Sequence, residues 1–145
     1  MKPRFDHEKL RAYQETVTFC GWVGEVLESV EGTLAVKNQL DRASTSVVLN
    51  LAEGNGKRSH PDRCRFLDIA RGSAVECAAC LDVLVVRGRL TEFKQDEGKA
   101  MLLVIESMLA GLSSRFGGND SIKGVHEDQS DYGLEDRLEN ENEND

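Results

Sequence analysis

Apolar residues recur at helical spacing in four blocks separated by short polar or glycine-containing breaks. The first carries Leu10, Tyr13, Val17, Cys20, Val23 and Leu27, and the second Val36, Leu40, Ala43, Val47 and Leu51. The third carries Phe66, Ala70, Ser73, Cys77, Cys80 and Leu84, and the fourth Met101, Leu102, Ile105, Leu109, Leu112 and Phe116. A helix returns to the same face every three or four residues, so each block reads as one amphipathic helix. No block alternates with a period of two, and both prolines lie outside the block interiors. The pattern predicts an all-α chain.

The block edges carry stop and start signals. Gly32 followed by Thr33 reads as a helix end and then an N-cap. Ser59, Pro61 and Asp62 combine a capping hydroxyl, an early proline and an acid at the third helical position. Gly88 closes the third block, and Thr91 caps the fourth. These signals place helices at roughly 6–31, 33–53, 60–87 and 91–116. Short connections make sequential helices antiparallel, which predicts an antiparallel up-down four-helix bundle over residues 1–116. From Gly117 the periodicity dissolves into Gly, Asp, Glu, Asn and Ser. Such a segment has too little apolar surface to offset its ordering entropy, so 117–145 is expected to be a disordered acidic C-terminal tail. Ile122, Tyr132 and Leu134 leave open a short docking motif within it.

Charge sharpens that division. The chain has 145 residues and a formal net charge of −8. One domain with one core is the expectation at this length. Residues 1–116 hold 16 Lys+Arg and 16 Asp+Glu, whereas residues 117–145 hold 2 and 10. The acidic excess therefore belongs to the tail and does not describe the body's surface. The first eight residues show no apolar stretch after their basic positions, so no signal peptide is expected. No apolar run reaches the roughly 18 residues of a membrane span. The expectation is a cytoplasmic protein with no membrane role and with its four cysteines as reduced thiols.

Residues 50–59, Asn-Leu-Ala-Glu-Gly-Asn-Gly-Lys-Arg-Ser, pose a choice between a phosphate-binding loop and a hairpin turn. A phosphate loop needs a strand before it, and residues 44–52 read as helix. The Walker spacing is also absent, because Lys57 is followed by Arg58. The turn explains more: Gly54 is expected to end the helix in the left-handed conformation, which Asn55 also tolerates, and Gly56 adds a second flexible position. Asn50 falls on the apolar seam of the second helix, and Glu53 on an adjoining face. Two readings stay open: Asn50 satisfies buried groups while Glu53 pairs with an arginine, or the two mark a recognition site at the bundle end. Ser73 and Glu76 repeat the pattern on the third helix. Folding the hairpin about residue 57 sets Ser73 near Ser44 and Glu76 near Arg42. Gly72 with Ser73 leaves room for another helix, including one from a second subunit.

No catalytic constellation emerges. Cys77 and Cys80 form a CxxC in mid-helix, with both sulfurs on the core seam, and read as small apolar residues. Cys20 and Cys64 are isolated in sequence, so a structural zinc lacks ligands. No Glu-x-x-His pair supports a di-metal bundle, and His7, His60 and His126 have no matching nucleophile. Neither an enzyme nor a cofactor is expected. Lys57, Arg58, Arg63, Arg65 and Arg71 stand against Asp62 and Asp68 within fifteen residues. This cluster reads either as a solvated helix face or as a contact for an anionic partner, RNA first. No aromatic residue is expected among these cations on the exposed face, so phosphate contacts rather than base stacking are anticipated.

Residues 39–59, Gln-Leu-Asp-Arg-Ala-Ser-Thr-Ser-Val-Val-Leu-Asn-Leu-Ala-Glu-Gly-Asn-Gly-Lys-Arg-Ser, and 65–76, Arg-Phe-Leu-Asp-Ile-Ala-Arg-Gly-Ser-Ala-Val-Glu, together resemble the bacterial 23S rRNA intervening-sequence proteins. The shared core falls on Asn50, Ala52, Glu53, Gly54, Gly72, Ser73 and Glu76. The resemblance implies a four-helix bundle that assembles as a homopentamer and carries no enzymatic activity. It also implies kinship with the accessory variability protein of diversity-generating retroelements, which binds nucleic acid. Asn55 stands where many members place an aromatic residue, and residues 30–33 replace a proline-containing turn. The expectation is a non-catalytic oligomeric bundle associated with RNA or a ribonucleoprotein. The alternative is a protein-interaction scaffold with no nucleic-acid role. Extra apolar positions at 47–49 and 81–86 favour burial against another subunit.

Overall fold

The structure, a computed structural model, describes residues 2–32 and 34–116. Thr33, expected as an N-cap, and the expected disordered tail lie outside the described residues. Four helices follow a short 3-10 turn at Asp6–Lys9: α1 (Arg11–Ser29), α2 (Ala35–Asn55), α3 (His60–Val86) and α4 (Glu92–Phe116). No strand occurs among the described residues. Sequential helices pack against each other and α4 closes on α1, which makes an antiparallel up-down bundle.

The sequence pattern carries the first helix back to about residue 6, but the chain breaks at Leu10, which is extended (φ −73°, ψ 128°). Glu8 explains the break. Its carboxylate accepts from the backbone N–H groups of Arg4 and Phe5, which closes a separate turn. Those two bonds hold the Glu8 carboxyl below its ordinary value, Arg4 contributing most. The turn lies against the end of α2, where Asn55 Nδ2 donates to Asp6 Oδ2 at 3.3 Å.

The other ends follow local chemistry. Gly32 takes a left-handed φ of 84° between α1 and α2. Leu34 is the N-cap of α2 and makes no side-chain capping bond. Lys37 Nζ instead reaches back to Val30 O at 2.6 Å and Gly32 O at 3.1 Å, satisfying carbonyls just past α1. Ser59 caps α3 by accepting from Asp62 N at 3.2 Å, and Thr91 caps α4 by accepting from Lys94 N at the same distance.

One seam from each helix fills the core, with Phe19, Val23, Leu40, Val47, Leu51, Leu67, Leu81, Leu84, Ile105 and Leu109 almost fully buried. Cys77 and Cys80 belong to that core. Burial, then the neighbouring Cys80 and Cys20 thiols and the Glu76 charge, push the Cys77 thiol up to about 12. Desolvation likewise raises Cys20, Cys64 and Cys80, so these thiols are poor nucleophiles.

Two sequence expectations about the hairpin need correction. Gly54 does not end α2 in a left-handed conformation: the helix runs through Asn55, and among the described residues positive φ occurs only at Gly32 and Gly88. Gly54 is buried because α3 crosses it closely; a Cβ there would lie 2.9 Å from the Cβ of Phe66 and 3.3 Å from Arg63 O. The register also differs. Ser73 Oγ lies 2.8 Å from Ser46 Oγ, not beside Ser44. The Ser46–Ser73 contact puts the fold axis at about residue 60 rather than 57. Ser44 turns toward α1, where its carbonyl accepts from the Cys20 thiol at 3.2 Å.

Candidate nucleic-acid interface

Alternating helix direction gathers four separate segments at one end of the bundle. They are the N-terminal residues to Arg11, the α2–α3 hairpin tip, the first turns of α3 and the last turn of α4. Asn55 bonds to Asp6 across this end, and Cys64 Sγ donates to Ser113 O at 3.7 Å. Residues 2–11, 55–66 and 113–116 hold nine Lys/Arg against three Asp/Glu, a net +6. The rest of the body to residue 116 holds seven against thirteen, a net −6. A body that is neutral in sum is therefore uneven in space, with a positive excess at this end and the acidic excess spread over the remainder.

The hairpin contributes Lys57, Arg58, Arg63 and Arg65 to this end. Arg63 Nε donates to Lys57 O at 2.6 Å and so braces the loop. Arg58 and Arg65 are exposed, and Lys57 is half-buried. Arg65 lies 3.8 Å from Asp62 in a solvent-facing pair of little strength. Phe66 stands between two of the cations, with Lys57 Nζ 4.9 Å and Arg65 Cζ 5.3 Å from its ring centroid. This overturns the expectation that no aromatic residue interleaves with the cluster, although Phe66 is half-buried. Helical spacing alone assigns it wholly to the core seam.

Arg71 stands apart from these four. It lies about three turns into α3 and faces α4, where its Nη2 is 2.8 Å from Glu106 Oε1 and its Nε donates to the same oxygen at 2.9 Å. It joins two helices. Conversely, Lys2, Arg4, Lys9, Arg11 and Arg115 join the basic end, and sequence reasoning missed them. They lie far from residue 57 in sequence, and only the folded topology unites them. An up-down reading with signed helix ends was the signal that could have found them.

The second group of candidate residues lies on the outer α2–α3 face. Asn50 Nδ2 donates to Ser46 O at 2.8 Å and Ser46 Oγ at 3.0 Å, and Ser46 meets Ser73. Asn50 therefore anchors a polar bridge between the helices and satisfies half-buried hydroxyls. Ala52 is half-buried beside it. Glu53 and Glu76 are exposed, and neither forms the expected arginine pair among the described residues. Glu76 instead lines a shallow cleft of about 290 Å³ with Gln39, Ala79, Val83 and Arg87. Gly72 opens onto empty space, and Leu49, Ile69 and Val75 around it are 59%, 46% and 61% exposed.

Among the described residues no group of three His, Cys, Asp or Glu is placed to hold a metal ion, and no helix is long and apolar enough to cross a membrane. The family model for the 23S rRNA-intervening sequence protein matches residues 8–111. The chain belongs to that family. Its fold is similar to the crystal structure of a protein of unknown function from the S23 ribosomal protein family of Bacteroides thetaiotaomicron. The two share 18% identity with a TM-score of 0.67, over 70% of this chain and 97% of that one. No curated protein matches the chain. Asn50, Ala52, Glu53, Gly54, Gly72, Ser73 and Glu76 all lie on α2 and α3, whereas the basic end is built largely outside them.

Proposed function

We propose that this 23S rRNA-intervening sequence protein is a non-catalytic, cytoplasmic RNA- or ribonucleoprotein-associated bundle that contacts the phosphate backbone through its basic end. The single observation behind this reading is the net +6 collected there from four chain segments, beside a body remainder of −6. Cations crowded at one end attract a polyanion and orient it. The nucleic-acid-binding side chains are Lys57, Arg58, Arg63 and Arg65, with Lys9 and Arg11 added from the N-terminal segment. Arg71 is left out because Glu106 holds it. Kinship with the accessory variability protein of diversity-generating retroelements, part of the same resemblance, points the same way.

Assembly belongs to the same proposal. The exposed Leu49, Ile69 and Val75 around Gly72 favour burial of the α2–α3 face against a second copy, and the resemblance makes the assembly a homopentamer. Repeating the basic end in a ring would multiply weak phosphate contacts. The exposed apolar face also favours the second reading, a protein-interaction scaffold without nucleic acid.

The test is RNA affinity across a salt series for the full chain and for a Lys57→Ala, Arg58→Ala, Arg65→Ala variant. For every phosphate that the variant no longer neutralises, the slope of log affinity against log salt should fall by about 0.7–0.9. An unchanged slope removes the basic end from the interface, and absence of binding in both chains favours the scaffold.

A further inference from the structure

We infer that Phe5 is a base-stacking platform on the basic end, so that the polyanion taken there is single-stranded RNA with its bases splayed out. The platform presupposes the RNA reading above and names its substrate class. Phe5 is 66% exposed, yet its backbone is held from several sides. The Glu8 carboxylate accepts from the N–H groups of Arg4 and Phe5, and Glu8 N donates to Phe5 O at 3.1 Å. Gln14 Nε2 of α1 donates to Glu8 O at 3.1 Å, and Asn55 of α2 holds Asp6. A side chain on a pinned backbone loses little freedom when a ligand covers it.

The ring is also backed. Tyr13 packs on the core, and His7 meets it edge-on with ring centroids 4.7 Å apart. Phe5 then stacks on His7 at 5.9 Å, with 18° between the planes. The rings lead outward from the core, and Phe5 is the last of them. A nucleobase laid on it extends the series whatever its identity, because every base has a π-face. Bases in a duplex are already paired and stacked, so the platform favours single strands.

Charge decides which exposed aromatic serves. Lys2, Arg4, Lys9 and Arg11 are exposed in the same segment as Phe5, although Arg11 pairs loosely with Glu15 at 3.9 Å. The Asp6–Asn55 bond sets this segment against the hairpin that carries Lys57 and Arg58. A strand stacked on Phe5 therefore has cations for its phosphates on both sides of that bond. Phe66 offers no second platform, because it is half-buried and Lys57 and Arg65 stand at its ring. Phe93 is 71% exposed, but it lies in the acidic remainder of the body, on the same turn as Glu92 and Asp96.

The experiment measures the affinity of the full chain, Phe5→Ala, Phe5→Trp and Phe93→Ala across a salt series. The probes are a short oligouridylate and an abasic ribose-phosphate oligomer with the same number of phosphates. Phe5→Ala should weaken binding of the oligouridylate about tenfold and leave binding of the abasic oligomer unchanged. Its salt slope should match that of the full chain, since no phosphate contact is lost. Phe5→Trp should bind the oligouridylate at least as tightly as the full chain, and its added fluorescence should be quenched by that probe and not by the abasic one. Phe93→Ala should behave as the full chain does. If Phe5→Ala binds the oligouridylate like the full chain, or loses equally on both probes, the platform is overturned, while binding of the abasic oligomer leaves the phosphate reading standing. If neither probe binds any of the chains, the platform and the RNA reading fall together.

Discussion

Gly98 sets how closely α4 approaches α1. It is buried, and a Cβ added there would lie 2.4 Å from Cη2 and 2.8 Å from Cζ3 of Trp22, and 2.7 Å from Cδ1 of Leu81. Ordinary carbon contacts begin near 3.4 Å, so the Trp22 ring must retreat by about 1 Å. Trp22 is not free to do so, because it packs on Phe19 with ring centroids 5.8 Å apart and its Nε1 donates to Glu97 Oε2 at 3.4 Å. Gly98→Ala should therefore incur an overpacking penalty of about 1–3 kcal/mol. Against it stands the helix preference for alanine over glycine, about 1 kcal/mol. The penalty outweighs the preference by up to about 2 kcal/mol, which lowers the melting point by up to about 12 °C. Gly111→Ala is the control, since it is also helical but has nothing within 4 Å. There the preference acts alone and should raise stability by about 0.5–1 kcal/mol. The chain has a single tryptophan, so urea unfolding followed by its fluorescence reports both stability and the displaced ring. If Gly98→Ala is as stable as Gly111→Ala, with an unchanged emission spectrum, the close α1–α4 approach is wrong.

Arg71→Ala should cost about 1–2 kcal/mol, because it leaves half-buried Glu106 without its charge-assisted bonds; RNA affinity should hardly change, and a loss of affinity without a loss of stability would return Arg71 to the interface. Gly72→Ala should stabilise an isolated bundle by about 0.5–1 kcal/mol, yet weaken assembly if another helix seats on this face; light scattering with thermal melts separates the two, and unchanged assembly argues against the α2–α3 face. Cys77 supplies a pH dependence: unfolded thiols ionise near 9.0 while the folded one holds its proton to about 12. Its contribution is complete below 9, and as pH rises from there the unfolded state binds fewer protons and stability falls, by up to a few kcal/mol. Cys77→Ala should flatten that decline in alkaline melts, and an identical slope would contradict the buried-thiol account.

Apolar spacing alone specified four helices and their antiparallel order, because the 3.6-residue period and the Ser59 and Thr91 caps are local properties that survive without tertiary context. The same locality explains the errors. Gly54 carried the signature of a helix stop, but its lack of a side chain serves the crossing of Phe66, a contact invisible along the chain. Ser73 met Ser46 rather than Ser44, because the offset between two packed helices is set by their side-chain packing and not by the centre of the loop. Arg71 looked like a neighbour of Arg65 by number, yet the six residues between them, about 1.7 turns of helix, rotated it to another face, toward Glu106. The charge pattern shows the division most clearly. Sequence placed the net −8 in residues 117–145 and a neutral balance before them. Only tertiary structure split that neutrality into a +6 end and a −6 remainder, because a bundle end is assembled from chain segments more than forty residues apart.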